Sequence, residues 1–499
     1  MTAIVDPYPV ATSGPAPTRL ESPGRRWLGL AAVLSAMIMN LLDSTVVNIG
    51  APAIHADLGG SLASLQWIAA SYTLALAVGL LTGGRFGDMY GRRRMLIIGL
   101  VGFVVASAGC ALAWSPESLI GARILQGLFA AALVPQAFGL IRDLFPPAEI
   151  GKAFAALGPV IGLSTVAGPV VAGSLIKLDL LGSGWRSIFL INLPIGAFAL
   201  VAALKALPAR AADQPRRGRL DVLGTLIAGT GMFLLVYPLV QGRELGWPGW
   251  TFGMLAGSVA VLASFVCQQL WRSRTGRTPL VELSVLAKRS YASGVVFVIV
   301  FFGSIVGFSL SIGLFLQVGL GFTAMRASLF LAAMAVGAFL GSGVGAVAVG
   351  KVGRPILHLG LTIMAAGSIL LMVELAAVQP GRAPGFLGLA PALLVFGCGM
   401  GMIFVPLFDI IMGDIEDHEV GSAAGLLESL QQLGASLGIA VLATVFFSKL
   451  GFDEVGPEAA LAAGRHLDAA QATVLLTLGL TVLAFAVGFL LPKRARQAF

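Results

Sequence analysis

Gly84-Arg85-Phe86-Gly87-Asp88-Met89-Tyr90-Gly91-Arg92-Arg93-Arg94 is a knot of charge set between two long apolar runs. Residues 85–94 hold five charges in ten positions, whereas only 11% of the whole chain is charged. Charge concentrated in this way reads as a short loop joining two membrane-spanning helices on the cytosolic side, where arginines are retained. Gly84, Gly87 and Gly91 permit a tight turn and close backbone approach. Asp88 can accept from a helix N-terminus or pair with an arginine. An arbitrary arginine-rich loop would be a topological anchor and nothing else, but the glycines spaced around Asp88 argue for more.

The surrounding chain fits that reading. Its 499 residues are 57% hydrophobic, and the mean hydropathy of +0.92 lies outside the soluble range. The fold class expected is an all-α polytopic membrane protein, for which counting soluble domains has no meaning. A net charge of +8 would suggest nucleic acid in a soluble protein. Here loop lysines and arginines account for it, and no nucleic-acid partner is expected. Cys110, Cys267 and Cys398 are odd in number, far apart and inside apolar segments, so they offer neither a disulfide framework nor zinc spacing. No metal and no cofactor are expected. The first 25 residues are rich in Pro, Ala, Thr and Ser, and lack a basic start followed by an apolar core. They predict a disordered cytosolic tail in place of a cleaved signal.

Apolar runs near 20 residues, broken by charge or Gly/Pro clusters, predict fourteen helices. The first is expected over Trp27–Ile54, the second over Leu65–Gly84, the fifth over Gly151–Ile176 and the ninth over Tyr291–Val318. An even count puts both termini on one side. The tails and loops of that side carry 24 lysines and arginines, the opposite loops carry 7, and Arg123 falls inside a span. The asymmetry predicts a multi-pass membrane protein with both termini cytosolic. All seven tryptophans fall at predicted helix ends, as an interfacial belt requires.

The expected organisation is a tail (1–25), a six-helix bundle (26–207), a basic linker with two inserted helices (208–272), a cytosolic linker (273–290), a second six-helix bundle (291–491) and a final tail (492–499). Gly350-Lys351-Val352-Gly353-Arg354 takes the place in the later half that the Arg85 loop takes in the earlier one. It keeps a Gly-Arg pair but has Gly350 where Asp88 would fall, a weak internal repeat.

Ionisable groups at bilayer depth are costly and mark sites of function. Asp43 lies 16 residues after Trp27, about 24 Å along a helix and past the midplane. Arg123 enters from the other side, about 9 Å deep after Glu117. The two therefore come to similar depth on separate helices, where pairing, direct or through Asn40 or Gln126, would offset desolvation. A static ion pair between helices one and four is one reading; proton uptake by Asp43, tuned by Arg123, is the other. Glu428 lies about 10 Å into the thirteenth helix, facing either a cavity or the cytosolic rim. In the fifth helix Gly162, Gly168, Pro169 and Gly173 suit close packing and bending.

Together these residues resemble the major facilitator superfamily, and within it the fourteen-helix drug:proton antiporters, from about Arg25 to Leu491. Gly84–Arg94 is similar to motif A, and the resemblance makes Gly84, Arg85, Gly87, Asp88, Gly91, Arg92 and Arg93 a conformational latch. Leu42-Asp43-Ser44-Thr45-Val46-Val47-Asn48 resembles the first-helix aspartate motif. Arg123-Ile124-Leu125-Gln126-Gly127 resembles motif B, whose arginine is linked to proton coupling. Gly162 and Gly168-Pro169 with Gly173 resemble the antiporter motif C, though Ala172 stands where a second glycine is common. Trp185-Arg186 followed by Phe189, Asn192, Pro194 and Gly196 strengthens the fourteen-helix assignment.

The resemblance implies two six-helix bundles with two inserted helices. It also implies proton-coupled export of small amphipathic or cationic compounds by alternating access, with the proton as coupling ion. Asn40, Gln126, Gln136, Phe308, Gln317, Phe404 and Glu428 are the expected substrate-binding residues. A monomer in the bilayer is expected, and no enzyme activity, since no nucleotide loop or catalytic constellation is seen. A lipid translocase and a proton-coupled importer are the alternatives on the same fold.

Overall fold

The computed structural model describes residues 23–146, 157–179, 182–207, 220–377, 386–416, 419–450 and 464–493, together with Glu149 and Ala153. Among these residues there are helices and connecting turns and no strands. Lipid offers the backbone no hydrogen bonds, so an apolar chain satisfies its peptide groups within each segment. The first half comprises α1 (Pro23–Leu58), α2 (Leu62–Tyr90), α3 (Arg92–Ala111), α4 (Pro116–Leu144), α5 (Leu157–Leu178) and α6 (Asn192–Ala206). Next come α7 (Val222–Gln241) and α8 (Gly249–Arg274). The second half comprises α9 (Arg289–Leu314), α10 (Ala324–Val352), α11 (Pro355–Ala377), α12 (Phe386–Met412), α13 (Val420–Leu450) and α14 (Arg465–Gly488).

Thirteen helices among the described residues are long and apolar enough to cross a membrane, the sixth running from Gly184 through its short leading turns to Ala206. The 22-residue α5 takes the place of the remaining predicted span. The predicted linker 208–219 lies outside the described residues, as do the tails apart from residues 23–25, 492 and 493.

The two halves are built alike. In the first, α2 packs on α4, α3 on α4, α1 on α5 and α6, and α3 on α6. In the second, α10 packs on α12, α11 on α12, α9 on α13 and α14, and α11 on α14. The same pairings recur eight helices later, so the weak repeat of sequence is a full repeat of packing. Glycine permits the closest of these approaches. A Cβ on Gly83 of α2 would sit 2.0 Å from the carbonyl oxygen of Ala131 in α4, and one on Gly401 of α12 would sit 1.9 Å from that of Ala338 in α10.

Across the halves, α2 lies along α13 and α5 along α10. The first contact is antiparallel and long: Gln66 donates to Thr444 (3.4 Å), Ser436 to the Ala70 carbonyl (3.3 Å) and Ser429 to the Ala77 carbonyl (2.6 Å). The inserted pair packs on itself, and α7 rests on both α2 and α13, outside the seam. Trp67 of α2 stacks there on Phe233 and Tyr237. That tryptophan and Trp185, which is buried and donates to Asp57 (3.0 Å), do not belong to an exposed belt; Trp27, Trp114, Trp247, Trp250 and Trp271 are exposed.

The charged knot is not a loop of ten residues. Helix α2 continues through Asp88 to Tyr90 and α3 begins at Arg92, leaving Gly91 alone between them at φ +92°. None of Gly84, Gly87 and Asp88 is barred from a helix packed on a neighbour, so the helix ends only where positive φ is required. Gly353, at φ +67°, marks the same point between α10 and α11.

Candidate functional site

Five helices of the first half bring polar groups together at mid-depth. Asp43 of α1 and Arg123 of α4 are 0% and 1% exposed and form an ion pair between Oδ2 and Nη1. The other carboxylate oxygen, Oδ1, accepts from Nε2 of Gln126 (2.8 Å) and Nδ2 of Asn192 (2.9 Å). Both amides also donate to the hydroxyl of Ser107 on α3, at 2.8 and 3.2 Å. Arg123 also donates through Nη1 to the Gln126 side-chain carbonyl (2.6 Å) and through Nε to the backbone carbonyl of Ile68 (3.2 Å). Its guanidinium lies 4.1 Å from the centre of the Tyr72 ring, and the Tyr72 hydroxyl donates to Asn40 (2.5 Å).

Asp43 thus accepts from three donors as an anion, and the arginine is held over an aromatic face. A proton placed on Oδ2 would remove the negative charge that Arg123 faces, so protonation weakens the hold on the arginine. Burial of such a pair costs desolvation that only good geometry offsets, and removing one partner typically costs about 3–5 kcal/mol. One acceptor is left over: the side-chain oxygen of Asn192 has no partner among the described residues.

The predicted pairing of Asp43 with Arg123, and the part of Gln126 in it, are present in the geometry. Asn40 reaches the cluster through Tyr72. Asn192 and Ser107 complete it, and neither was assigned to it from sequence. The signal available for Asn192 was a polar residue inside the sixth apolar span.

The predicted substrate residues are dispersed. Gln136 is buried and donates to the Gly83 carbonyl (2.8 Å), which places it in the packing of α2 on α4. Phe308 is buried against Phe396, ring centres 4.5 Å apart, inside the second half. Gln317 lies in a single π-helical turn, Phe315–Gly319, that extends α9. Phe404 is partly exposed and meets Phe302 edge-on at 5.4 Å. Glu428 is partly exposed and accepts from Gln432 (3.2 Å). On α13, Ser429 and Ser436 face α2, Gly434 and Gly438 approach α9, and Thr444 bonds α7. At 100° per residue, Glu428 and Gln431 then point away from α7, between α2 and α9, toward the seam of the halves. The Gln431 carbonyl oxygen is buried without a partner among the described residues.

In α5, Gly168 packs on Thr45 of α1, and Gly173 on Met325 and Ser328 of α10. The helix runs unbroken through Pro169. The surroundings of Gly162 and the side chain of Asp88 lie outside the described residues.

The charged knot reaches outside its own half through Arg85. Arg92 pairs with Asp143 of α4 (3.1 Å) and Arg93 donates to the Leu204 carbonyl at the end of α6 (3.0 Å). Arg85, by contrast, donates to the carbonyl of Pro279 in the segment that leads into the second half. Gly87 touches Gln136, while Gly84 is exposed and has room for a side chain.

That segment, 278–288, is held along its length. Asp221, 2% exposed, caps α7 through Gly224 (2.9 Å) and binds Gln269 (2.7 Å) and Arg272 (3.3 Å) of α8. Gln269 in turn accepts from the amides of Leu280 (2.6 Å) and Val281 (3.2 Å). Further on, Ser422 of α13 accepts from the Glu282 amide (3.1 Å), and Glu419 binds both Ser284 (2.6 Å) and Lys288. The hydrogen bonds from Lys288 and then Ser284 hold the Glu419 carboxyl down at about 2, and Glu419 raises Lys288. Asp221 lies below its ordinary value despite burial, because Gly224 and the two glutamines donate to it. The inserted helices, α2 and α13 are therefore wired to one strap.

A family model described as the Major Facilitator Superfamily matches residues 33–439. The chain is 48% identical over 431 residues to a probable actinorhodin transporter of Streptomyces coelicolor, covering 86% of this chain and 73% of the relative. It is 34% identical over 431 residues to a tetracenomycin C resistance and export protein of Streptomyces glaucescens, covering 86% and 77%. Among solved structures, a bacterial homolog of the human lysosomal transporter Spinster, inward-facing and occupied, matches with a TM-score of 0.66 at 17% identity, over 94% of this chain and 97% of that one.

Proposed function

This chain belongs to the major facilitator superfamily, and from that premise we propose that it exports small amphipathic compounds, antibiotics among them, in exchange for protons. The observation that carries the coupling half of this reading is the Asp43–Arg123 pair, a buried carboxylate whose protonation would remove the charge that a buried arginine is paired with. The export half is supported by relatives named for the transport of actinorhodin and for tetracenomycin C resistance and export.

The mechanism follows from the repeat. Two like halves meet along α2–α13 and α5–α10, and rocking about these seams exposes the space between them to each side in turn. Asp43 has no exposed surface in the present conformation, so it exchanges its proton in another one, when α1 and α4 part. Protonation frees Arg123, and the cost of leaving it unpaired drives the return. Glu428 and Gln431, turned toward the seam, supply polar contacts to the substrate, with Phe404 adding an apolar wall. The termini lie in the cytosol, where the lysine- and arginine-rich face is retained.

The energy suffices. A proton descending 100 mV yields about 2.3 kcal/mol and each pH unit adds about 1.4, whereas a hundredfold gradient of a neutral compound needs about 2.8. The test is efflux from cells that express the chain, over a panel of antibiotics, with and without an uncoupler. Protection that the uncoupler abolishes supports the reading; protection that survives it removes the proton.

A further inference from the structure

On the face where α1 begins and α14 ends, the second half has a cavity of about 390 Å³ that the transport cycle above does not use. It is bounded by the start of α9, the α10–α11 turn, the end of α14 and the turn after α12. Among the described residues, Arg289, Arg354 and Lys493 line it together with a single carboxylate, Asp414, for a net charge of +2. Its other wall is apolar: Phe489 and Leu490 are 56% and 51% exposed just past the last turn of α14. Ser290 also lines the cavity, and its hydroxyl is buried without a partner among the described residues.

We propose that this cavity is a binding site for the headgroup of an anionic glycerophospholipid. The chemistry shared by all candidates is a phosphodiester, which Arg289 and Lys493 meet at the mouth. Arg354 is pinned by Nη1 to the carbonyls of Phe489 (2.9 Å) and Leu491 (2.8 Å), which presents the rest of its guanidinium as a fixed donor. Asp414 sets a limit on the anion and offers an acceptor to a headgroup hydroxyl, as in phosphatidylglycerol. The position adds to the charge. All four ionisable residues sit at the ends of membrane-crossing helices, where headgroups lie, and the exposed Phe489 and Leu490 continue the site toward the acyl chains. A free phosphate ion would gain from the cations but would leave that apolar wall unused.

The full chain is placed in nanodiscs of phosphatidylcholine containing equal minorities of phosphatidylglycerol and phosphatidylethanolamine, and lipids retained after extraction are counted by native mass spectrometry. Phosphatidylglycerol should be retained over phosphatidylcholine and phosphatidylethanolamine. Arg289→Gln and Lys493→Gln should each weaken that preference about fivefold. Arg289→Lys and Lys493→Arg should keep it, which separates lost charge from lost fold. Equal retention of the neutral lipids, no change in the glutamine variants, or displacement of the lipid by inorganic phosphate would each overturn the site.

Discussion

Arg85, at the end of α2, donates to the carbonyl of Pro279, 194 residues further along the chain. The charged end of a first-half helix is thereby fixed to the segment that enters the second half, and the same segment is bound by α8 and α13.

If this strap transmits the rocking of one half to the other, removing its anchor should slow switching and leave binding intact. A charge-assisted hydrogen bond is worth about 1.5–3 kcal/mol. Arg85→Ala should therefore lower turnover about tenfold while substrate affinity changes less than about twofold. Transport kinetics beside equilibrium binding of the same compound make the comparison. A loss confined to affinity would place Arg85 in the binding surface instead.

Gly83 and Gly84 are adjacent and should answer differently to alanine. A Cβ on Gly83 meets the Ala131 backbone, which cannot yield cheaply, so Gly83→Ala should destabilise by about 1–3 kcal/mol. At Gly84 the nearest atom, on Pro135, is 4.0 Å away. Gly84→Ala should be neutral or stabilising, within about 1 kcal/mol, because alanine favours the helix. Thermal unfolding in detergent distinguishes the two, and equal losses would contradict the packing of α2 on α4.

Acid should weaken the strap through Glu419. Its carboxyl lies near 2 in the fold against an ordinary 4.5, so the folded state binds fewer protons than the unfolded one between these values. The stability it contributes is complete above about pH 4.5 and is lost as pH falls toward 2. The unfolding midpoint should drop more steeply over that window in the native chain than in Glu419→Gln. Parallel curves would remove Glu419 from the strap.

Much of this was legible in the sequence, for identifiable reasons. Apolar runs of fixed length announce helices because lipid leaves the backbone no other option, and the depth of Asp43 and Arg123 follows from counting residues. The face of a helix is harder to read when it is apolar all round. Gln136 and Phe308 are among the expected substrate-binding residues, yet both point into the packing of their own half. The Arg85–Arg94 knot resembled a loop because charge usually marks one, but helix formation there is decided by α4 alongside. The Asp221–Gln269–Arg272 node joins residues up to 51 positions apart, and no local pattern signals it. Asn192 stood in a recognisable motif, but only the meeting of α1, α4 and α6 shows that it donates to Asp43.

The central claim is that Asp43 carries the coupled proton and does more than tie α1 to α4. Asp43→Asn alone would leave Arg123 buried and unpaired, so the decisive chain is Asp43→Asn with Arg123→Gln, which removes both charges and keeps amide groups in place. In proteoliposomes with an imposed pH gradient, this double variant should still pass substrate down its own gradient but should no longer accumulate it against one. Accumulation by the double variant to the level of the native chain would show that the pair only holds the helices together.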